Sequence, residues 1–150
     1  MSAAVSAAAL ALAALNALPA AFGSWRWYRD EPSRPFWVLL RVAQGGALLF
    51  ALAVGALAAA GRQPSEELFY LYALLPLAVG FIAEQLRVAC AQTILDQRGL
   101  EDAQAVGALQ EHEQRMVVAA ILRREMGVMT LAALVVVFLA LRAASTAHGF

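Results

Sequence analysis

Charged residues are scarce in this chain. Only 15% of its 150 residues are charged and 62% are hydrophobic, whereas soluble domains have about a quarter charged residues. Eleven arginines balance eleven carboxylates, so the formal net charge is zero. This balance excludes the strong positive bias of a dedicated nucleic-acid-binding protein, and we expect no nucleic-acid partner. The composition indicates a membrane protein.

Cysteine, histidine and lysine are nearly missing as well. Cys90 is the only cysteine, so a disulfide, a dithiol redox pair and a thiolate metal cluster cannot form within the chain. The two histidines, His112 and His148, flank a predicted membrane span and are too far apart to bind haem or zinc together. The absence of lysine excludes Schiff-base and phosphate-loop lysine chemistry. We therefore expect no metal and no cofactor.

Four segments are long and apolar enough to cross a bilayer. A hydrocarbon core of about 30 Å requires about 20 apolar residues in a helix, because backbone groups must be hydrogen-bonded internally there. The segments are residues 3–22, 37–60, 68–91 and 125–143. They predict an all-α fold, an integral membrane bundle of four antiparallel transmembrane helices that forms one membrane domain over residues 1–150.

Residues 96–115 form the longest polar segment. Gly99 is typical of a helix end, and apolar residues then recur at spacings of three, which favours a short amphipathic surface helix. The apolar residues are Leu100, Ala103, Val106 and Leu109. We expect the chain to continue from this helix into the fourth span without a sharp break.

The arginines are distributed asymmetrically between the two sides. Seven lie in the first loop or between the third and fourth spans, and only Arg62 and Arg142 lie on the other side. The positive-inside rule then predicts that both termini are outside, and we expect a protein of the bacterial cytoplasmic membrane. Aromatic and basic residues at the membrane boundary are predicted interface anchors: Trp25, Arg26, Trp27, Arg29, Arg34, Trp37, Arg123 and Arg124. The alternative, a cleaved signal peptide, is disfavoured because the first span lacks a positive amino-terminal region.

Small residues recur at i, i+4 spacing in the second span. Such residues allow close approach of helices in lipid, where association depends on packing and polar contacts. The predicted packing positions are Ala43, Ala47, Ala51, Gly55 and Ala59, with Ala73 and Gly80 on the third span. They predict a hairpin of the second and third spans, unless alanine simply fills every helix of an alanine-rich chain.

Polar residues from several spans are predicted to lie at one depth. Matching residue levels through the loops places Arg41 and Gln44 beside Glu84, with Asn16 near the same layer. A structural Arg41–Glu84 ion pair is the favoured interpretation, and a proton or ligand site is the alternative.

The chain has no glycine-rich phosphate loop, serine nucleophile elbow or metalloprotease motif. We therefore expect no enzyme, but an accessory or scaffold subunit that contacts lipid and associates with another membrane protein or itself. A small oligomeric transporter or channel using the Arg41–Glu84 cluster is the alternative, and a membrane enzyme of unknown chemistry is the third class.

Overall fold

Four long helices and one short helix make up the described part of the chain. The computed structural model describes residues 2–148, so Met1, Gly149 and Phe150 of the predicted 1–150 domain lie outside the described residues. The helices are α1 (Ser2–Tyr28), α2 (Arg34–Ala59), α3 (Leu68–Gln97), α4 (Ala103–Gly107) and α5 (Glu111–Thr146). The four long helices are each long and apolar enough to span a membrane. The all-α prediction with four spans is confirmed, and the chain is a multi-pass membrane protein.

The four spans pack in a square in which neighbours are antiparallel. α1 and α3 each pack mainly on α5 and α2. α1 therefore lies diagonally across from α3, and α2 lies diagonally across from α5. The α2–α3 seam is the least extensive of the four. Two apolar cores fill the interior, one around Ala9, Phe50 and Ala140 and the other around Phe36 and Met129. The cores lie at opposite ends of the bundle, because their α1 residues come from opposite halves of that helix.

Three of the spans end in the same backbone motif. After α1, α2 and α3, a residue with positive φ lets the next amide donate to the carbonyl five residues earlier. This is the Schellman hydrogen bond, which satisfies carbonyls that the end of a helix leaves free. Asp30 takes the left-handed position after α1, and Gly61 and Gly99 take it after α2 and α3. The predicted helix end at Gly99 is therefore confirmed.

The long helices continue beyond the predicted spans. α1 extends to Tyr28 and α2 begins at Arg34, so most of the predicted first loop is helical. The short helix predicted within residues 96–115 is the five-residue α4. Apolar spacing locates the lipid-facing part of a helix, but backbone hydrogen bonds do not need to stop where that part stops. α5 is unbroken from Glu111 into the fourth span, but residues 108–110 separate it from α4, so the predicted continuity from the surface helix is wrong.

The predicted packing face of α2 is correct only over its first half. Ala43, Ala47 and Ala51 are buried, whereas Gly55 and Ala59 are exposed. At 100° per residue, positions four apart drift by about 40°, so five such positions wind about 160° round the helix. Consequently Gly55 and Ala59 point away from the surface that Ala43 uses. The predicted hairpin contact is also secondary, because α2 packs more extensively on α1 than on α3.

α3 and α5 are longer than a membrane requires. Their 30 and 36 residues correspond to about 45 and 54 Å of helix, whereas the hydrocarbon core is about 30 Å thick. Both helices project past the bundle at the end where α1 finishes. We call this the arginine-rich end, and we call residues 96–115 beyond it the cap.

The net charge of zero applies to the whole chain but not to its separate regions. The membrane-proximal belt of the arginine-rich end has seven arginines and four carboxylates, a net charge of +3. The belt residues are Arg26, Arg29, Arg34, Arg41, Arg87, Arg123, Arg124, Asp30, Glu31, Glu84 and Glu125. The cap has five carboxylates and two arginines, a net charge of −3 with histidine neutral, and the opposite end is balanced. A basic belt therefore separates the membrane from an acidic cap.

Candidate functional site

A polar network joins α2, α3 and α5 at the arginine-rich end. Arg41 Nη1 lies 2.5 Å from Glu84 Oε1 and donates to Gln44 Oε1 at 2.7 Å. Gln44 Nε2 donates to the same Glu84 oxygen at 3.2 Å. The sequence-predicted Arg41, Gln44 and Glu84 thus meet in one set of hydrogen bonds between α2 and α3.

Two further residues complete this network. Arg87 Nε donates to Glu84 Oε2 at 3.0 Å, and its Nη1 lies 3.8 Å from Glu125 Oε2 on α5. The Arg87 guanidinium also stacks over the Trp37 ring, 5.6 Å from its centroid. Both Glu84 oxygens therefore have arginine partners, and two arginines balance two carboxylates. The i, i+3 spacing of Glu84 and Arg87 on one helix face is the signal by which sequence reasoning could have included Arg87.

The network lies near the edge of the hydrocarbon layer. Glu84 is 16 residues into α3 from Leu68, which is about 24 Å along the helix axis. The Arg41 side chain is 51% exposed and that of Glu84 is 27% exposed. Arginine at this depth can extend towards the headgroups. The network therefore reaches from the bundle, where Glu84 is largely covered, to the membrane interface.

Asn16 is not a hydrogen-bonded member of this network. Its side chain is buried, with 3% exposure, and its Nδ2 donates to the Leu12 carbonyl at 3.0 Å. Its Oδ1 is not one of the fully buried polar atoms without a partner among the described residues. The side chain lines the cleft described next, so the amide is placed to contact a group that enters it.

A lateral cleft connects Asn16 with the polar network. The cleft has a volume of about 240 Å³ and lies on the α2–α3 side, with α1 and α5 behind it. Its lining residues are Asn16, Leu40, Gln44, Ala47, Pro76, Leu77, Gly80, Phe81, Glu84, Met129, Ala132, Ala133 and Val136. Leu77 and Phe81 at the rim are exposed. The cleft is mostly apolar, with an amide on its inner wall and a carboxylate and an amide at one end.

The glycine and alanine positions predicted on α3 have different surroundings. Ala73 is buried in the core at the opposite end of the bundle. A methyl group added at Gly80 would meet no atom within 4 Å, and the same is true of Gly55. These two glycines therefore do not mark close helix contacts, contrary to the prediction. Gly80 instead leaves open space at the cleft wall.

The predicted interface anchors lie together at the arginine-rich end. Arg26 pairs with Glu31 at 2.5 Å, and the Arg29 guanidinium stacks over Trp25. Arg123 pairs with Asp30 at 2.5 Å. The remaining predicted anchors at this end are Trp27, Arg34, Trp37 and Arg124. These aromatic and cationic side chains are contributed by α1, α2 and α5 and by the residue that follows α1.

Within residues 2–148, no three histidine, cysteine, aspartate or glutamate side chains are grouped so as to hold a metal ion. The chain matches no protein-family model, no curated protein and no solved structure.

Proposed function

We propose that this protein is a non-catalytic accessory or scaffold subunit that binds a transmembrane helix of a partner along the α2–α3 seam. The cleft at this seam is the observation that carries the proposal. Its volume of about 240 Å³ suits one or two protruding side chains rather than a substrate, since small-molecule sites are usually about 300–1,000 Å³. Asn16 Oδ1 supplies an acceptor for a serine, threonine or amide donor on the partner helix.

The surroundings of Glu84 favour a structural role over proton exchange. Three side chains donate to its two oxygens, and nearby cations hold a carboxylate in its ionised form. In this proposal the network closes one end of the cleft and fixes the spacing of α2 and α3. The second candidate function, an oligomeric transporter or channel, is supported by the presence of Asn16, Gln44 and Glu84 on the same cleft.

Filling the cleft is expected to remove partner binding. A photocrosslinking residue at Leu77, on the exposed rim, should give one discrete adduct with another membrane protein or a second copy. Gly80→Leu places a side chain into the open space at the cleft wall, and we expect at least a tenfold loss of that adduct. The yield is measured by gel mobility and mass spectrometry after irradiation of whole cells.

Gly55→Leu is the matched control, because it adds the same side chain to an equally open helical position outside the cleft. It should leave the adduct unchanged. Crosslinks to lipid alone, or equal loss in the two variants, would contradict helix binding at the cleft. Substrate flux that depends on Gln44 and Glu84 in reconstituted vesicles would instead favour the transporter.

We further propose that the arginine-rich end is cytoplasmic and that both termini are outside. Nine of the eleven arginines lie at this end, seven in the belt and two in the cap, and arginine retention on the cytoplasmic side is the main determinant of topology. We propose the bacterial cytoplasmic membrane as its location, with the belt against anionic lipids.

Cys90 makes this orientation simple to test, because its replacement by alanine leaves no thiol. In that background, Gln97→Cys places a thiol at the exposed end of α3 and Glu66→Cys places one at the exposed opposite end. An impermeant maleimide added to intact spheroplasts should label Glu66→Cys and leave Gln97→Cys unlabelled until lysis. The reverse pattern would show that the arginine-rich end is outside.

A further inference from the structure

A second concave surface lies on the α1–α5 seam, on the opposite side of the bundle from the cleft. This groove has a volume of about 480 Å³ at the arginine-rich end. Its lining residues are Trp27, Ala120, Arg123, Arg124, Gly127, Val128 and Leu131. Two adjoining hollows also include Arg123 in their walls. The concave region at this seam is therefore broader than the cleft.

The groove changes from cationic to apolar along α5. Arg124, Gly127 and Leu131 are three and four residues apart, so they follow one another along one side of the helix over about 10 Å. The Trp27 indole forms the facing wall and packs on Gly127, where an added methyl group would lie 3.1 Å from the indole nitrogen. Leu131 at the apolar end is 60% exposed and therefore faces lipid.

The cationic end has one arginine that lacks an internal counter-charge. Arg123 is paired with Asp30. Arg124 is exposed and has no carboxylate within ion-pair distance among the described residues. Guanidinium groups bind phosphate oxygens through paired hydrogen bonds, and tryptophan favours the headgroup level of a bilayer. An unpaired cation, an indole and an apolar channel thus occur in the order of a phospholipid's phosphate, glycerol and acyl chain.

We propose that this groove binds one anionic phospholipid, with its phosphate on Arg124 and an acyl chain along Gly127 and Leu131. The excess positive charge of the belt supports an anionic rather than a neutral lipid. The site is independent of the proposed partner helix, because it uses the opposite seam. In this proposal one lipid binds per protein at this groove, in addition to the general attraction of the basic belt to an anionic membrane.

Fluorescence quenching at Trp27 tests the site directly. Trp25→Phe and Trp37→Phe leave Trp27 as the only tryptophan, and the protein is reconstituted with phosphatidylglycerol or phosphatidylcholine that has brominated chains. We expect phosphatidylglycerol to bind beside Trp27 about fivefold more strongly, the preference that one interfacial arginine gives. Arg124→Gln should remove most of this preference and leave only the part that the other belt arginines contribute.

Arg34→Gln is the matched control, since Arg34 is exposed at the same end on α2 but does not line the groove. It should leave the ratio unchanged. The unmodified chain should also retain a single phosphatidylglycerol in native mass spectrometry, and Arg124→Gln should lose it. A ratio near one in the parent protein, or equal reduction by both arginine variants, would overturn the proposal.

Discussion

Gly23→Ala is expected to destabilise the bundle by about 1–3 kcal/mol, the usual cost of overpacking a well-packed core. Gly23 is buried where α1 meets α2 and α5. An added methyl group would come within 3.0 Å of the Phe36 ring and of Thr130 Oγ1. Phe36 is fully buried and Thr130 is 4% exposed, so neither neighbour can move into solvent. The free energy of unfolding can be measured by steric trapping in bicelles.

Gly55→Ala is the control for this prediction, because it makes the same change in a helix with no atom within 4 Å. It should be neutral or stabilising by less than about 1 kcal/mol, since alanine is the better helix former. Adding Thr130→Ala to Gly23→Ala should recover part of the loss, because it removes one of the two contacts and a buried hydroxyl without a hydrogen bond. Equal stability of Gly23→Ala and Gly55→Ala would refute the close packing of these three helices.

Glu84→Gln is expected to lower the free energy of unfolding by about 1–2 kcal/mol. Removal of one partner from a fully buried ion pair costs about 3–5 kcal/mol, and the 27% exposure of Glu84 reduces this value through solvent screening. The substitution leaves Arg41 without its carboxylate and leaves Arg87 with only Glu125, at 3.8 Å. The same unfolding assay in bicelles applies.

The double variant Arg41→Gln/Glu84→Gln tests whether this loss arises from the network. Because the two side chains interact directly, it should cost less than the sum of the single variants, by at least about 0.5 kcal/mol. Glu66 is exposed just before α3, at the end of the bundle opposite the arginine-rich end. Glu66→Gln should therefore leave the free energy of unfolding unchanged. Simple additivity of Arg41→Gln and Glu84→Gln would show that the ion pair makes no energetic contribution.

The fold class followed directly from hydrophobic run lengths, because lipid allows few alternatives to spanning helices. The pairing of helices was less predictable. The i, i+4 series from Ala43 to Ala59 predicted α2–α3 packing, but such a series drifts round the helix and alanine also fills lipid-facing positions. The dominant α1–α5 contact depends on individual close approaches such as Gly23 to Thr130, which spacing within one helix does not reveal.

The depth of the candidate site was predictable, whereas its full membership was not. Residue counting through short loops placed Arg41 level with Glu84 because every helical residue adds the same rise. Counting residues gives depth along the helix axis, but it does not show how each helix is rotated and therefore which side chains face one another. It therefore missed Glu125, which pairs with Arg87 from α5. Prediction of the groove at Trp27 would have required the knowledge that α1 packs on α5. These two helices are the first and the last in the sequence, so no short loop links them.

The length of α5 also couples the cap to the interior mechanically. The helix is continuous from Glu111 to Thr146 and has no internal proline, so it behaves as a stiff rod. Arg123, paired with Asp30, lies about 18 Å from its cap end and about 35 Å from its other end. Buried residues of α5 run from Val117 to Thr146, and the helix packs extensively on both α1 and α3. One continuous helix therefore connects the cap to the whole depth of the bundle.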